Sequence, residues 1–267
     1  MGNDALGDRM KEYERRETAE KFMPLLPIYA RIDGRGFSKF TKGFDFPYDP
    51  RFRQAMIDTT KWLVSQTNAR LGYTQSDEIS LCWLAENYNS EVFFGGKKQK
   101  MVGLLAALAT QRFNRFLYTH PDPFIQQMAE RAPTFDARVF QFPNKHECAN
   151  AFVWRERDAT KNALSMAASS VYSHKDLLGK NSADKHQLLF EKGINFNDYP
   201  IEFKRGVYIR RQQLIKPTLV KGEMLDVVRT TVDVIDLPRL EQIDNRVDVV
   251  FDGVNPVLRD TLMKEGE

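Results

Sequence analysis

The chain has 267 residues, of which 42% are hydrophobic and 28% are charged. This length and composition predict one large globular domain, or one domain with an appendage, and exclude an intrinsically disordered chain. The net charge of +3 permits a nucleic-acid partner without requiring one. The only two cysteines, Cys82 and Cys148, exclude a disulfide framework or a zinc site made of cysteines alone, so a reducing cytoplasm is the expected compartment.

The first half of the chain is predicted to alternate helices and strands. Residues 5–22 carry the charge of an exposed helix, and the apolar run 25–33, which ends at Asp-Gly, predicts a buried strand. Residues 49–68 begin with Asp-Pro and repeat apolar side chains at helical spacing, which predicts a helix packed on one face. Residues 71–84 indicate two strands around a tight turn.

The second half continues this alternation. Residues 97–118 predict a second long helix, whose most apolar run, 101–110, is too short to span a membrane. Residues 134–143 alternate apolar and polar side chains as a strand does, and residues 146–170 are predicted to be helical. The order strand, helix, hairpin, helix, strand, helix predicts an α+β fold with an antiparallel sheet and flanking helices.

The last fifty or so residues contain VDVID and VDVVFDG and predict a strand-bearing C-terminal extension. We therefore expect a main domain with an N-terminal helix over residues 1–215 and a small extension over residues 216–267. No internal repeat or low-complexity linker places this boundary more closely.

Three carboxylates, Asp33, Asp77 and Glu78, stand at predicted strand ends. If the first strand lies beside the hairpin, Asp33 faces the turn that carries Asp77, and the two acids repel each other unless a cation neutralises them. Carboxylate oxygens suit Mg²⁺, and two such ions about 4 Å apart can activate an attacking oxygen and stabilise a leaving phosphate. The alternative is an ordinary polar β-turn, because Asp and Ser are common turn residues.

The segment GRGFSKF, residues 34–40, follows Asp33 directly. Its glycines let the backbone approach a ligand, its N–H groups can cradle phosphates, and Arg35 and Lys39 add positive charge. The alternative is a plain strand-to-helix turn with exposed basic side chains. The chain lacks G-x-x-x-x-G-K-[ST] and G-x-S-x-G, which argues against a P-loop NTPase and a nucleophile elbow.

Two longer motifs carry a family resemblance: RIDGRGFSKFTKGFDFPYD at residues 31–49 and YTQSDEISLCW at residues 73–83. Together they resemble the tRNA(His) guanylyltransferase family, and within it the guanylyltransferase-like proteins of bacteria, archaea and phages. The likeness continues through FDARVFQFP, WRERDATKN, LLFEKGINFND and FKRG, so that it extends over residues 25–211.

The resemblance implies a palm-like, ferredoxin-like fold and an enzyme that adds nucleotides to the 5′ end of tRNA, opposite to the usual polymerase direction. A nucleoside triphosphate, ATP or GTP, first activates the 5′ monophosphate, and the 3′ hydroxyl of an incoming nucleotide then attacks it. Two Mg²⁺ ions serve both steps. A homotetramer without membrane contact is expected.

The resemblance also implies roles for individual residues. Asp33, Asp77 and the Gly34 carbonyl are implied metal ligands, and Asp33, Asp77 and Glu78 are the implied catalytic acids. Nucleotide binding is implied for Gly34, Arg35, Gly36, Phe37, Ser38, Ser76, Lys97 and Lys100. The last two open a predicted helix whose N-terminal end adds a positive field.

Basic residues cluster late in the chain and are candidates to follow a tRNA backbone, with an affinity that falls as salt rises. A solvated basic edge is the alternative. The candidate tRNA contacts are Asn162, Lys204, Arg205, Arg210 and Arg211, with Lys216 in the same basic group.

Two departures from the eukaryotic members bear on specificity. Thr160–Met166 stands where those members carry H-I-N-N-L-Y-N, which favours template-dependent repair of 5′-truncated tRNA over untemplated addition of guanosine to tRNA(His). Phe46 stands where they carry a lysine, so contacts with the activating nucleotide are expected to differ. Two other classes stay open: a palm-type nucleotide cyclase, and a non-catalytic RNA-binding protein, against which the intact acids argue.

Overall fold

One six-stranded sheet organises this computed structural model, which describes residues 4–220 and 223–259. The strands are β1 (Ile28–Arg35), β2 (Leu71–Gln75), β3 (Glu78–Trp83), β4 (Thr134–Gln141), β5 (Val207–Val220) and β6 (Glu223–Ile235). Their order is β4-β1-β3-β2-β5-β6, and every neighbouring pair is antiparallel. The predicted α+β fold with an antiparallel sheet is confirmed.

Helices flank this sheet on both faces. Within the described residues they are α1 (Ala5–Thr18), α2 (Phe37–Phe40), α3 (Pro50–Thr67), α4 (Lys98–Thr119), α5 (Pro123–Ala129), α6 (Lys145–Ser169), α7 (His174–Leu177), α8 (Ser182–Glu191), α9 (Ile201–Lys204) and α10 (Arg246–Asp252). The predicted ends of α3, α4 and α6 agree with the structure to one residue, whereas α1 ends before residue 22. No described helix combines the length and apolar character needed to cross a membrane.

Local chemistry explains where α3 begins and ends. The Asp49 side chain accepts hydrogen bonds from the N–H groups of Arg51 and Phe52, and a proline occupies the first turn, where no intrahelical N–H bond is lost. Asn68 ends the helix in the left-handed region, with a φ of 54°. This start places the first turn of α3 against the connection between β2 and β3, where Arg53 donates to backbone carbonyls.

One face of the sheet packs on α3 and α4. The even-numbered residues Ile28, Ala30 and Ile32 of β1 point to this side, as the two-residue period of a strand requires. Helix α4 contributes a buried stripe at four-residue spacing, made of Met101, Leu105, Ala109, Phe113 and Leu117. This core holds β1 and β3 side by side.

The other face packs on α6 and on the C-terminal segment. Tyr29, Tyr73 and Cys82 of the sheet meet Cys148 and Phe152 of α6 in a second buried cluster, where both cysteines are free. The C-terminal segment completes this cluster with Leu237, Leu240, Ile243, Val249, Val250 and Phe251. The second core therefore depends on residues late in the chain.

The predicted strand at VDVVFDG is wrong, because this sequence forms α10. Val249, Val250 and Phe251 have the side chains of a strand, but all three are buried in the second core, and Gly253 ends the helix with a φ of 74°. The first four residues of VDVID do lie in β6. The expected domain boundary at residue 216 lies inside β5, and the division into two domains stays a prediction.

We expect Leu240→Ala to lower the free energy of unfolding by about 2–5 kcal/mol, because it empties a fully buried position of the second core. Urea unfolding of the purified chain measures this loss. The matched control is Leu178→Ala, which truncates a leucine that is 73% exposed and is expected to change stability by less than about 0.5 kcal/mol. Equal effects of the two substitutions would contradict a core role for the C-terminal segment.

Candidate active site

The end of β1 and the β2–β3 turn meet at one edge of the sheet. Asp33 in β1 pairs with Glu78 in β3, and the Gly34 N–H donates to the Asp77 carbonyl over 3.1 Å. The chain leaves the sheet after β1 at the same point at which β2 turns into β3. The structure thus brings together Asp33 and Asp77, the two carboxylates selected as metal ligands.

The turn that carries Asp77 is as short as a hairpin connection can be. Ser76 and Asp77 link the paired residues Gln75 and Glu78. Ser76 has a φ of 45°, in the left-handed region typical of two-residue hairpin loops. Its hydroxyl donates to Asp77 Oδ1 over 3.1 Å. The turn therefore presents the Asp77 carboxylate at the tip of the hairpin.

Burial and the negative charge of Asp33 raise the pKa of Asp77 above its ordinary value. A bound cation would favour the ionised form of both carboxylates. In the described part of the chain no three His, Cys, Asp or Glu side chains cluster, so the predicted donors would be the two carboxylates and the Gly34 carbonyl only. Mg²⁺ commonly takes one or two carboxylates and completes its shell with water and phosphate oxygens, so these residues fit that ion.

Glu78 differs from its neighbour Asp77 because both of its oxygens are engaged by an arginine. Arg155 of α6 donates from Nε to Oε1 over 2.6 Å and from a terminal nitrogen to Oε2 over 2.7 Å. Arg31 approaches Oε2 to 3.7 Å. Burial raises the pKa of Glu78, while the hydrogen bonds from Arg155 act to lower it. Glu78 thus ties the edge of the sheet that carries Asp33 and Asp77 to α6.

Arg155 is a further residue of the site, for which the sequence predicts no role. Arg155 is buried, contacts Asp158 over 3.0 Å, and holds its guanidinium 4.5 Å from the centroid of the Trp154 ring. The presence of Glu78 in a largely apolar strand indicates that a buried cation pairs with it. The chain has 39 lysines and arginines, however, and the residues around Arg155 in the sequence do not show that it is the partner of Glu78.

The glycine-rich turn after Asp33 is shaped by a close approach and by backbone handedness. A Cβ on Gly34 would lie 2.3 Å from the Phe37 ring, and Gly36 begins α2 with a φ of 69°. Phe37 is buried among other phenylalanines, so it offers a ligand its backbone only. Arg35 and Ser38 are exposed. The turn presents first-turn N–H groups that have no intrahelical partner.

A cleft of 560 Å³ opens beside Asp77, a size typical of small-molecule sites. Its wall includes Phe37, Ser38, Ser76 and Asp77 and continues along residues 41–47. Phe46, the residue that replaces a lysine of the eukaryotic members, also lines this cleft and is 58% exposed. Three of the implied nucleotide ligands therefore line one cleft, and the other residues of the glycine-rich turn adjoin it.

Lys97 and Lys100 lie in a different place. They line a separate cleft of 510 Å³, together with basic residues of α1. Phe113, on the same helix, contacts Phe37. Lys100 and Phe113 are thirteen positions apart, which corresponds to about 20 Å along the helix axis. Within one chain, the structure does not bring these two lysines to the carboxylates.

Two of the candidate tRNA contacts are engaged inside the protein. Arg205 pairs with the buried Glu156 over 2.8 Å and also donates to the Leu237 carbonyl. Arg210 donates to the Val249 carbonyl of α10, and burial lowers its pKa. These contacts favour structural roles for both arginines.

The other candidate tRNA contacts lie nearer to the surface. Arg211 is exposed and donates to the Ser65 carbonyl, and Lys204 donates to the Asn197 carbonyl. Asn162 is exposed on α6. The side chain of Lys216 lies outside the described part of the structure. The structure therefore does not gather this set into one free basic surface.

Known proteins share these features over most of the chain. Residues 7–143 match the family model described as Thg1: tRNAHis guanylyltransferase. The tRNA(His) guanylyltransferase of Schizosaccharomyces pombe is 32% identical over 216 residues, which cover 75% of this chain and 78% of that protein. A bacterial tRNA(His) guanylyltransferase (Thg1)-like protein in complex with ATP is 31% identical, with a TM-score of 0.77 over 93% of this chain and 98% of that one.

A bacterial tRNA(His) guanylyltransferase (Thg1)-like protein in complex with GTP is also similar to this chain. It is also 31% identical, with a TM-score of 0.73, and covers 91% of this chain and 99% of that one. The matched family model contains both the Asp33 turn and the Asp77 hairpin. The chain therefore belongs to the tRNA(His) guanylyltransferase family of nucleotidyltransferases.

Proposed function

We propose that this chain is a magnesium-dependent nucleotidyltransferase that adds nucleotides in the 3′–5′ direction to tRNA 5′ ends and repairs 5′-truncated tRNA under the direction of a template. The observation that carries this proposal is the convergence of Asp33 with Asp77, which lines a nucleotide-sized cleft. The bacterial relatives solved with ATP and with GTP support a nucleoside triphosphate as the ligand of that cleft.

Each part of the site has a role in this proposal. Asp33, Asp77 and the Gly34 carbonyl would hold Mg²⁺, which when bound neutralises phosphate charge and activates an attacking oxygen. The backbone of residues 34–37 and the Ser38 side chain bind the triphosphate. Ser76 would lie beside the nucleotide, because it lines the same cleft as residues 41–47.

Two displacements make up the reaction. An oxygen of the tRNA 5′ monophosphate attacks the α-phosphorus of ATP or GTP, and pyrophosphate leaves. The 3′ hydroxyl of the incoming nucleotide then attacks the activated 5′ phosphorus of the tRNA, and a nucleoside monophosphate leaves. The protein contributes mainly by holding these groups in line, because correct orientation removes much of the entropic barrier.

Template dependence is supported by the segment that departs from the eukaryotic members. Residues 160–166 lie in α6, where Asn162 is exposed and Met166 reaches the cleft wall. A methionine is a flexible apolar side chain that tolerates different neighbours. A wall of this kind would accept any of the four bases, so that pairing with the template base could determine which nucleotide is added.

The decisive experiment uses a tRNA that lacks one 5′ nucleotide and carries a 5′ monophosphate. The protein is incubated with it, Mg²⁺ and all four triphosphates, while the opposing base of the 3′ strand is varied. We expect the added nucleotide to follow that base and the reaction to stop when EDTA removes Mg²⁺. Addition of guanosine regardless of the base would refute templating, and a cyclic nucleotide formed without tRNA would refute the whole proposal.

Two further expectations belong to this proposal. The active form is a homotetramer, which sedimentation of the purified chain can test, and the enzyme acts in the cytoplasm. The two free, buried cysteines, Cys82 and Cys148, accord with a reducing compartment.

A further inference from the structure

Arg53 of α3 is a buried arginine whose partners are backbone carbonyls. Its side chain donates to the Thr74 carbonyl over 2.6 Å and to the Ser76 carbonyl over 3.2 Å. Only 4% of the residue is exposed, and its Nε has no hydrogen-bond partner among the described residues. Removing a guanidinium from water costs free energy, so a gain in stability does not by itself account for the position of Arg53.

Burial lowers the pKa of Arg53 to about 10, so the guanidinium remains charged at neutral pH. Its two carbonyl partners belong to alternate residues on either side of Gln75, at the point where β2 enters the turn. A planar guanidinium can span both carbonyls at once, whereas the compact ammonium of a lysine cannot reproduce that fork.

The second carbonyl that Arg53 holds belongs to the peptide that joins Ser76 to Asp77. The next peptide is held as well, because the Gly34 N–H donates to the Asp77 carbonyl over 3.1 Å. Asp77 therefore lies between two anchored peptides, one tied to α3 and one tied to β1. Ser76 adopts a left-handed φ of 45°, which is unfavourable for a residue with a side chain unless its surroundings enforce it.

We propose that Arg53 is a positioning residue that fixes the Ser76–Asp77 peptide and thereby holds the Asp77 carboxylate beside Asp33. This inference rests on the proposed function, because it treats Asp77 as a metal ligand. Arg53 acts through geometry, because its side chain hydrogen-bonds the Thr74 and Ser76 carbonyls, and Ser76 directly precedes Asp77. The Arg53 hydrogen bonds end on backbone carbonyls and not on the carboxylates of Asp33 or Asp77.

Mn²⁺ binding tests the proposal without requiring turnover. Water-proton relaxation measures the affinity of the full-length wild type, Arg53→Lys and Arg53→Met for Mn²⁺ at 25 °C, and circular dichroism checks that each variant is folded. We expect both variants to bind Mn²⁺ about 10-fold to 100-fold more weakly, the range seen when a residue that orients a metal ligand is lost. The lysine variant keeps the positive charge. If the methionine variant does not fold, the Mn²⁺ affinity of the lysine variant alone tests the positioning role.

The matched control is Arg112→Met, which removes another arginine tether of α3. Arg112 of α4 holds Asp58 through two hydrogen bonds of 2.8 Å and 3.0 Å, outside the cleft lining. We expect this variant to lose stability and to keep the wild-type affinity for Mn²⁺. Equal weakening of Mn²⁺ binding in Arg112→Met and Arg53→Met would overturn the proposal, because general destabilisation would explain it.

The remaining outcomes separate this inference from the proposed function. Wild-type Mn²⁺ affinity in Arg53→Lys overturns the positioning role and leaves the proposed function intact. A wild type that binds no Mn²⁺ overturns both. Weaker binding in both Arg53 variants, with a wild type that repairs truncated tRNA, supports both.

Discussion

Asp77→Asn is expected to lower nucleotide addition to truncated tRNA by about 10²- to 10³-fold or more, because it removes one of the two carboxylates that would hold Mg²⁺. A metal ion at a phosphoryl centre contributes several kcal/mol of transition-state stabilisation, and each 1.36 kcal/mol is a factor of ten in rate. Single-turnover assays at saturating Mg²⁺ measure the loss. Wild-type addition by this variant would show that the metal assignment is wrong.

The same substitution is expected to leave the metal-free protein as stable as the wild type, or more stable. The pKa of Asp77 is raised by burial and by Asp33, so the folded state binds its proton more tightly than the unfolded chain. Ionised Asp77 therefore destabilises the metal-free fold above that pKa, and asparagine removes the cost. Asp58→Asn, which weakens only the pair with Arg112, is the matched control and should keep its activity.

Arg155→Met is expected to lower the free energy of unfolding by about 3–5 kcal/mol at pH 7, because it leaves the Glu78 carboxylate buried without its partner. Burial already raises the pKa of Glu78, and without the hydrogen bonds from Arg155 the folded state would bind its proton still more readily than the unfolded chain. The loss should therefore shrink as the pH falls through the folded pKa. Urea unfolding at pH 7 and at pH 5 measures both effects.

Two comparisons sharpen this prediction. Arg157→Met, on the same helix, removes an exposed pair with Glu241 and should cost no more than about 1 kcal/mol. The double variant Glu78→Gln with Arg155→Met removes the buried charge as well as its partner, and it should recover part of the lost stability. A loss of the same size in Arg157→Met, or no recovery in the double variant, would contradict a buried ion pair.

Much of the fold and the centre of the site can be predicted from the sequence. The strands and long helices follow from periods of two and of about four residues, and the ends of α3 follow from Asp49 and Asn68. The meeting of Asp33 with the Asp77 turn follows from pairing β1 with the hairpin. The elements depend on residues that are close in sequence, and the meeting of Asp33 with the Asp77 turn depends on one strand pairing. The motifs around Asp33 and Asp77 are also shared by a family, which makes these residues recognisable.

The tertiary structure alone decided the rest. VDVVFDG favours a strand by composition, yet it forms α10 and packs Val249, Val250 and Phe251 into the second core. Glu78 meets Arg155 across 77 residues, and Arg53 reaches the Ser76 carbonyl across 23, so no local pattern identifies either partner. Which side chain neutralises a buried charge depends on how α3 and α6 pack on the sheet, because that packing determines which distant residues come within hydrogen-bond distance.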